Sequence, residues 1–401
     1  MNDQQTRVLV VDAGVRHAID VVRSLGKRGI HVESVVKAGK PAASYSRYLA
    51  QAHVFPLDSN DMEPSIAFLE KLARQNRYDA IIAAGLDGFR ILSCGLERLS
   101  AHAAVPVSPW PLFAIAEDKA DTTLFGERVG VPTPITYYPD GPDDLERFRD
   151  IPYPVVVKAR RGQGHYAYAG SFAELRDVVY PQICGEVADQ MAEGVYPILQ
   201  EFIVGKAHGF YALMNHGDVV AYFMHERIHE VPPTGGPSAM AKSFYDEELI
   251  AVGARMLREL KWHGVAMVEF KKDEKDGQYK LIEINPKFWG SLGLSIATGV
   301  DFPYLLTQMA VDGDARPVEM PRTPVTYQWL SMDIAHSIAI KKPLQWLGFV
   351  LRGTPNDFRL ADPMPNVMLL AQGAKDVLGG KRKVHSTGAA VAAGEKAGER
   401  A

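Results

Sequence analysis

The sequence predicts a mixed α/β protein, with an open α/β domain at the N-terminus and an α+β region of antiparallel strands after it. Three observations predict it. Arg7–Asp12 (RVLVVD) is an apolar run followed by Ala13-Gly14, an amphipathic segment over Val15–Arg28 and a second apolar run at His31–Val36. Strand, helix, strand in that order is the unit of a parallel sheet covered by helices. Farther on, Val265–Phe270 and Tyr279–Asn285 flank the polar stretch KKDEKDGQ, whose Asp276-Gly277 is a turn signal, so the pair reads as an antiparallel hairpin. Finally, 401 residues with 47% apolar and 23% charged side chains are enough for two to four structural units of ordinary globular composition.

Each element follows in order. A helix near Glu63–Asn76 leads into the strand Ala80–Ala84 and completes a domain of residues 1–105. The turns Asp12-Ala13-Gly14 and Gly85-Leu86-Asp87-Gly88 should line a crevice at its strand ends. It carries no G-x-G-x-x-G fingerprint. Pro106, Pro109 and Pro111 mark a connection to the helix Asp118–Val129, which Gly130 and Pro132 end. Tyr153–Ala159 is a strand, followed by the loop Arg160-Arg161-Gly162-Gln163-Gly164-His165, a helical stretch over 172–192 and the strand Pro197–Ile203. Residues 106–200 are grouped as one unit and residues 201–315 as the next, which the resemblance given below implies are a linker helix with a small lobe and a large lobe. Residues 201–315 hold strands at Gly209–Met214 and Val219–Glu226, a helix over Glu247–Leu260 with Asp246 as N-cap, then the hairpin. In residues 316–378, Trp329, Trp346 and Phe349 point to a packed extension, whereas 379–401 lacks aromatics and reads as a disordered tail.

Composition excludes several classes. A formal charge of −4 leaves no basic surplus to neutralise a nucleic-acid backbone. Cys94 and Cys184 are far apart and fit neither a disulfide framework nor a metal-ligand spacing. The opening MNDQQTRVLVVDAG lacks a basic segment followed by a long apolar run, and no stretch nears the roughly 20 apolar residues of a spanning helix. A soluble cytoplasmic protein with no membrane span is expected.

The hairpin carries the most chemistry. Glu269 and Glu283 are equidistant from Asp276, so the simplest register sets them opposite each other, and Asn285 shares the face of Glu283 because strand side chains alternate. Paired carboxylates repel unless something neutralises them, and Mg2+ does so with oxygen ligands, completing its shell with phosphate and water. The plainer alternative is a hairpin face with two solvated acids. After Asn285, Pro286 stops the strand, Lys287 stands beside the acids and Gly290-Ser291 opens the backbone.

These residues resemble the ATP-grasp superfamily, of the carboxylate–amine ligase type related to the carbamoyl-phosphate synthetase large subunit and D-alanine–D-alanine ligase. LIEINPKFWGS (281–291) resembles its metal-binding segment, commonly E-x-N-x-R, and GVAMVEF (264–270) resembles the strand with the other acid. The likeness covers roughly residues 5 to 315. It implies an ATP-grasp fold: an N-terminal α/β domain, a two-lobed ATP-binding region and a C-terminal extension. It implies ATP and Mg2+, with Mn2+ as a substitute, the metal on Glu269, Glu283 and Asn285. It places Lys119 and Lys158 at the phosphates, with Gly162 and Gly164 letting the loop backbone approach them. Gln200-Glu201-Phe202-Ile203 resembles the hinge that meets adenine. His208 stands where relatives carry an acid for the ribose, and Lys287 stands where Arg is common, keeping the charge but losing the bidentate fork.

The implied reaction joins a small-molecule carboxylate to an amine through an acyl phosphate. Arg227, in HERIHEVPPTGGPSA (225–239), would grip the acyl phosphate or carboxylate, and Lys287 would assist the transferred phosphoryl group. Asp87 and Arg90 are weaker candidates for acceptor contacts. Two rivals stand beside this reading: a bicarbonate-using carboxylase or carbamoyl-phosphate-type enzyme, and a non-catalytic nucleotide-binding scaffold. Residues 316–378 are compatible with a lid, a homodimer surface or a docking element.

Overall fold

The structure, a computed structural model, describes residues 5–162, 164–233 and 236–378; the tail expected over 379–401 lies outside the described residues. Four parallel strands form the N-terminal sheet: β1 (Arg7–Val11), β2 (His31–Val36), β3 (Leu49–Val54) and β4 (Ala80–Ala83), in the order β3-β2-β1-β4. β1 and β4 are almost wholly buried, as parallel strands covered on both faces must be. β3 escapes the sequence reading because LAQAHV mixes small and polar side chains, which suits its exposed edge position. The two expected strand-end turns meet. A Cβ on Gly85 would lie 2.0 Å from Asp12 Oδ2, so only glycine fits there.

The small lobe contains β5 (Thr136–Tyr137), β6 (Val155–Lys158), β7 (Tyr166–Ala169) and β8 (Ile198–Glu201), antiparallel in the order β5-β8-β6-β7. It has its own core, with Val155, Val157, Leu175, Tyr180, Ile183 and Leu199. The stretch expected as one helix over 172–192 breaks at Val187, whose backbone leaves the helical region (φ −124°, ψ 43°).

The large lobe is a six-stranded antiparallel sheet of β9 (Ala207–Asn215), β10 (Asp218–Glu230), β11 (Ser238–Ser243), β12 (Gly264–Lys272), β13 (Tyr279–Asn285) and β14 (Thr326–Gln328), ordered β13-β12-β9-β10-β11-β14. Its core is continuous with that of the N-terminal domain. The helix Glu247–Glu259 packs against it, and Asp246 caps that helix by accepting from the backbone N–H groups of Glu248 and Leu249 at 2.9 and 3.1 Å. Residues 316–378 are part of this body. They supply β14 and the fully buried Trp329, and their Asp362 receives Arg23 Nε of the N-terminal domain at 2.8 Å.

Candidate active site

β12 and β13 pair as the turn spacing predicts: Glu269 faces Glu283, Val268 faces Ile284 and Met267 faces Asn285. One residue earlier on β13 the register slips, because Phe270 faces Leu281, while β12 stays in step with β9. Ile282 is therefore the extra residue of a β-bulge. Bulges re-aim side chains, and here Ile282 and Glu283 both reach the same cavity wall despite being adjacent.

That cavity lies between the two lobes. Lys119, Lys158, Gly162, Gly164, Gln200, Glu201, Phe202, Ile203, Arg227, Glu269, Glu283, Asn285 and Lys287 all line it. Of the residues singled out from sequence for the nucleotide, His208 is the exception. Its Nδ1 donates to the Lys206 carbonyl at 2.9 Å, and its ring sits edge-on to Phe244 and Tyr279, away from this lining. The side chain is occupied on the far side of β9, where burial lowers its pKa.

The cations are distributed unequally over the two acids. Lys119 Nζ stands 3.4 Å from Glu283 Oε2, and Asn285 Nδ2 donates to Glu283 Oε1 at 2.8 Å. Burial pushes the Glu283 carboxyl up, but Lys119, Asn285 and Lys158 together hold it below the ordinary carboxylate value. Glu269 has Arg227 at 3.8 Å, and burial and the facing Glu283 raise it against the opposing pull of Arg227, Lys158 and Lys271. Burial pulls Lys158 down to about 8, and its ammonium donates to Gln200 Oε1 at 2.5 Å. Lys287 is lowered by burial too, with Glu283 and Asp12 opposing.

The loop after β6 is tied down at its start. Asp118 accepts from Arg160 Nε at 2.7 Å while capping the helix Lys119–Arg128 through the N–H groups of Ala120 and Asp121. Lys119 donates through its backbone to the Arg160 carbonyl at 2.9 Å and through Nζ to the Gly162 carbonyl at 2.8 Å. Gly162 and Gly164 both have positive φ (84° and 83°), a conformation glycine adopts without strain. Asp87 and Arg90 are committed elsewhere: Asp87 to Lys37 and Ser59, Arg90 to Glu117 at 2.8 Å.

Several lining residues were not singled out from sequence. Lys271 holds the Ile203 carbonyl at 3.0 Å and stands two positions after Glu269, so strand alternation alone would have found it. Val156, Met267 and Ile282 add apolar wall. At the Arg227 end, His225 Nε2 lies 2.7 Å from Tyr211 Oη and 2.6 Å from Ser291 Oγ, and burial pulls its pKa down to about 3, so the imidazole is neutral. Three distant segments meet there, which no local pattern announces.

Comparison with known proteins finds similar folds. The family described as "ATP-grasp in the biosynthetic pathway with Ter operon" matches residues 218–332. The carbamoyl phosphate synthase large chain of Methanothermobacter thermautotrophicus is 24% identical over 308 residues, 72% of this chain and 28% of that protein. This chain thus spans little more than a quarter of that relative's length. Among solved structures, N5-carboxyaminoimidazole synthetase from Staphylococcus aureus complexed with ADP superposes with a TM-score of 0.64 at 14% identity, over 88% of both chains. The L-amino acid ligase of Bacillus licheniformis gives 0.61 at 17% identity over 81% of this chain and 80% of that one. The biotin carboxylase domain of Hydrogenobacter thermophilus 2-oxoglutarate carboxylase, in complex with MgADP, ADP and bicarbonate, gives 0.63 at 18% identity over 79% and 72%. These likenesses establish the fold.

Proposed function

We propose that this chain, whose fold is the ATP-grasp fold, is an ATP-dependent carboxylate–amine ligase. A carboxylate oxygen attacks the γ-phosphorus of ATP and ADP leaves with the bridging oxygen. The amine nitrogen then attacks the acyl carbon, phosphate leaves, the amine gives up a proton and an amide remains. The observation that carries this reading is the facing pair Glu269 and Glu283, with Asn285 bonded to one of them and Lys119 and Lys158 on the same cavity wall.

The donor set fits a hard divalent cation. Two opposed carboxylates and an amide oxygen suit Mg2+, or Mn2+, and Glu269 is raised by burial and then by the facing Glu283, both of which a cation would offset. Bound there, the ion would shield the phosphate charge. The chain's own groups do the rest. Lys119, Lys158 and the backbone N–H groups of Gly162 and Gly164 bind phosphate oxygens. Gln200–Ile203 presents a backbone edge to the adenine, with Lys271 fixing the Ile203 carbonyl and Val156, Met267 and Ile282 packing the base. Arg227 and Lys287 hold the carboxylate and the phosphoryl group in transit, so that two anions meet without mutual repulsion.

A second reading takes bicarbonate as the carboxylate. The sequence likeness to the carbamoyl phosphate synthase large chain favours it. One experiment separates the two. Protein is incubated with Mg-ATP and pools of amino acids, other carboxylic acids, amines and bicarbonate, and nucleotide products are resolved. ADP and phosphate release that requires an organic acid and an amine is the expected result. Release that follows bicarbonate supports the second reading. Formation of AMP and pyrophosphate would overturn both.

A further inference from the structure

We infer that residues 330–352 form a docking surface for the anionic face of a lipid bilayer. This stretch consists of the helix Leu330–Ala339, a short turn and the helix Gln345–Leu351, and it is built with its polarity reversed. The first helix buries polar side chains: Asp333 is 0% exposed and accepts from Gln328 Nε2 at 2.6 Å, and His229 Nδ1 lies 2.6 Å from its other oxygen. His336 Nδ1 donates to the Glu230 carbonyl at 2.7 Å. These bonds fix the polar side inward against β10. The apolar side is left outside. Ile338 is 56% exposed, Leu344 71% and Leu351 79%, and the second helix, QWLGFVL, has no fully buried residue.

Charge selects the occupant. Residues 334–356 contain no Asp or Glu, although the whole chain carries −4. Lys341, Lys342 and Arg352 flank the apolar helix, are exposed, and have no acidic side chain within ion-pair distance among the described residues. Exposed leucines ringed by unpaired cations, with Trp346 between them, match the interface of an anionic bilayer, where leucine enters the acyl boundary and lysine stays at the headgroups. A second copy of this chain fits less well, because a two-fold contact through this patch would bring the same three unpaired cations together from each side. No helix among the described residues is long and apolar enough to cross a membrane, so the contact is peripheral. The inference does not depend on the ligase reading.

The test is flotation of the full chain with vesicles of phosphatidylcholine alone and of phosphatidylcholine mixed equally with phosphatidylglycerol. The chain should float with the mixed vesicles and not the neutral ones, and salt should release it. Lys341→Gln with Lys342→Gln should weaken partitioning on the order of thirtyfold, from two lost headgroup attractions. Leu344→Gln with Leu351→Gln should weaken it about tenfold or more. Both pairs are exposed side chains, so the unfolding midpoint should not move. Failure to float with the anionic vesicles overturns the inference. So does equal binding to both vesicle types, or a dimer in sedimentation that the leucine substitutions dissolve without any vesicle binding.

Discussion

Glu269 and Glu283 face each other across β12 and β13, and Lys119 Nζ stands 3.4 Å from Glu283, whereas the Arg227 guanidinium is 3.8 Å from Glu269. The pair is therefore electrostatically lopsided: Glu283 is held ionised and Glu269 is pushed toward its protonated form. A cation between them would ionise both.

This asymmetry sets a stability prediction. Because folding raises Glu269, the native state holds a proton that the unfolded chain releases. Metal-free stability therefore falls as pH rises from the ordinary carboxylate value through the raised one. Glu269→Gln should remove that loss, raising the melting temperature at neutral pH without metal. Mg2+ should raise the melting temperature of the unsubstituted protein and leave that of the variant unmoved. Thermal unfolding with and without Mg2+ reads both effects.

Lys158 sets a pH prediction for nucleotide binding. With its pKa drawn down to about 8, the ammonium loses its charge as pH rises through that value, and the attraction for phosphate goes with it. ADP affinity should fall across that range. Lys158→Arg, whose guanidinium stays charged, should flatten the profile. Titration calorimetry as a function of pH checks this.

Arg227, proposed above to hold the carboxylate substrate, is paired with Glu230 at 3.1 Å and lies near Glu269. Arg227→Met should leave ADP affinity unchanged and lower turnover by about a hundredfold, the scale of losing one group that stabilises developing charge. Equal losses in binding and turnover would place the side chain at the nucleotide instead.

Asp118 joins the helix cap to the loop after β6. Asp118→Ala removes the cap and the bond to Arg160, and should cost about 2 kcal/mol in a denaturant titration. It should also weaken ADP binding, because the Arg160 side chain loses its anchorage to the helix start. Arg160→Ala, which keeps the cap, should reproduce the weaker binding with a smaller stability loss.

How far the site is legible in the sequence depends on how local its causes are. The hairpin was legible because KKDEKDGQ fixes the turn and period-two alternation fixes the faces. The bulge at Ile282 was not, because it arises from how β13 meets β12 and leaves no mark in LIEIN. Lys119 and Lys158 needed the family likeness to rise above ordinary lysines, and the structure brings both to the cavity. His208 shows the opposite case: position in the motif pointed to a ribose contact, while the packing of Phe244 and Tyr279 draws the ring away from the cavity lining. Tyr211, His225 and Ser291 meet only through tertiary folding. In the fold, β14 was hidden because TYQ is too short to carry a strand pattern, so its role in the sheet came from packing alone.

The central claim is that Glu269, Glu283 and Asn285 hold the metal of a bound nucleotide. Its most direct test is calorimetric titration of ADP, with and without Mg2+, into the protein and its Glu283→Gln variant. Mg2+ should strengthen binding in the unsubstituted protein and have no effect on the variant, while metal-free ADP binding survives in both. A variant that binds Mg-ADP as tightly as the unsubstituted protein would contradict the claim.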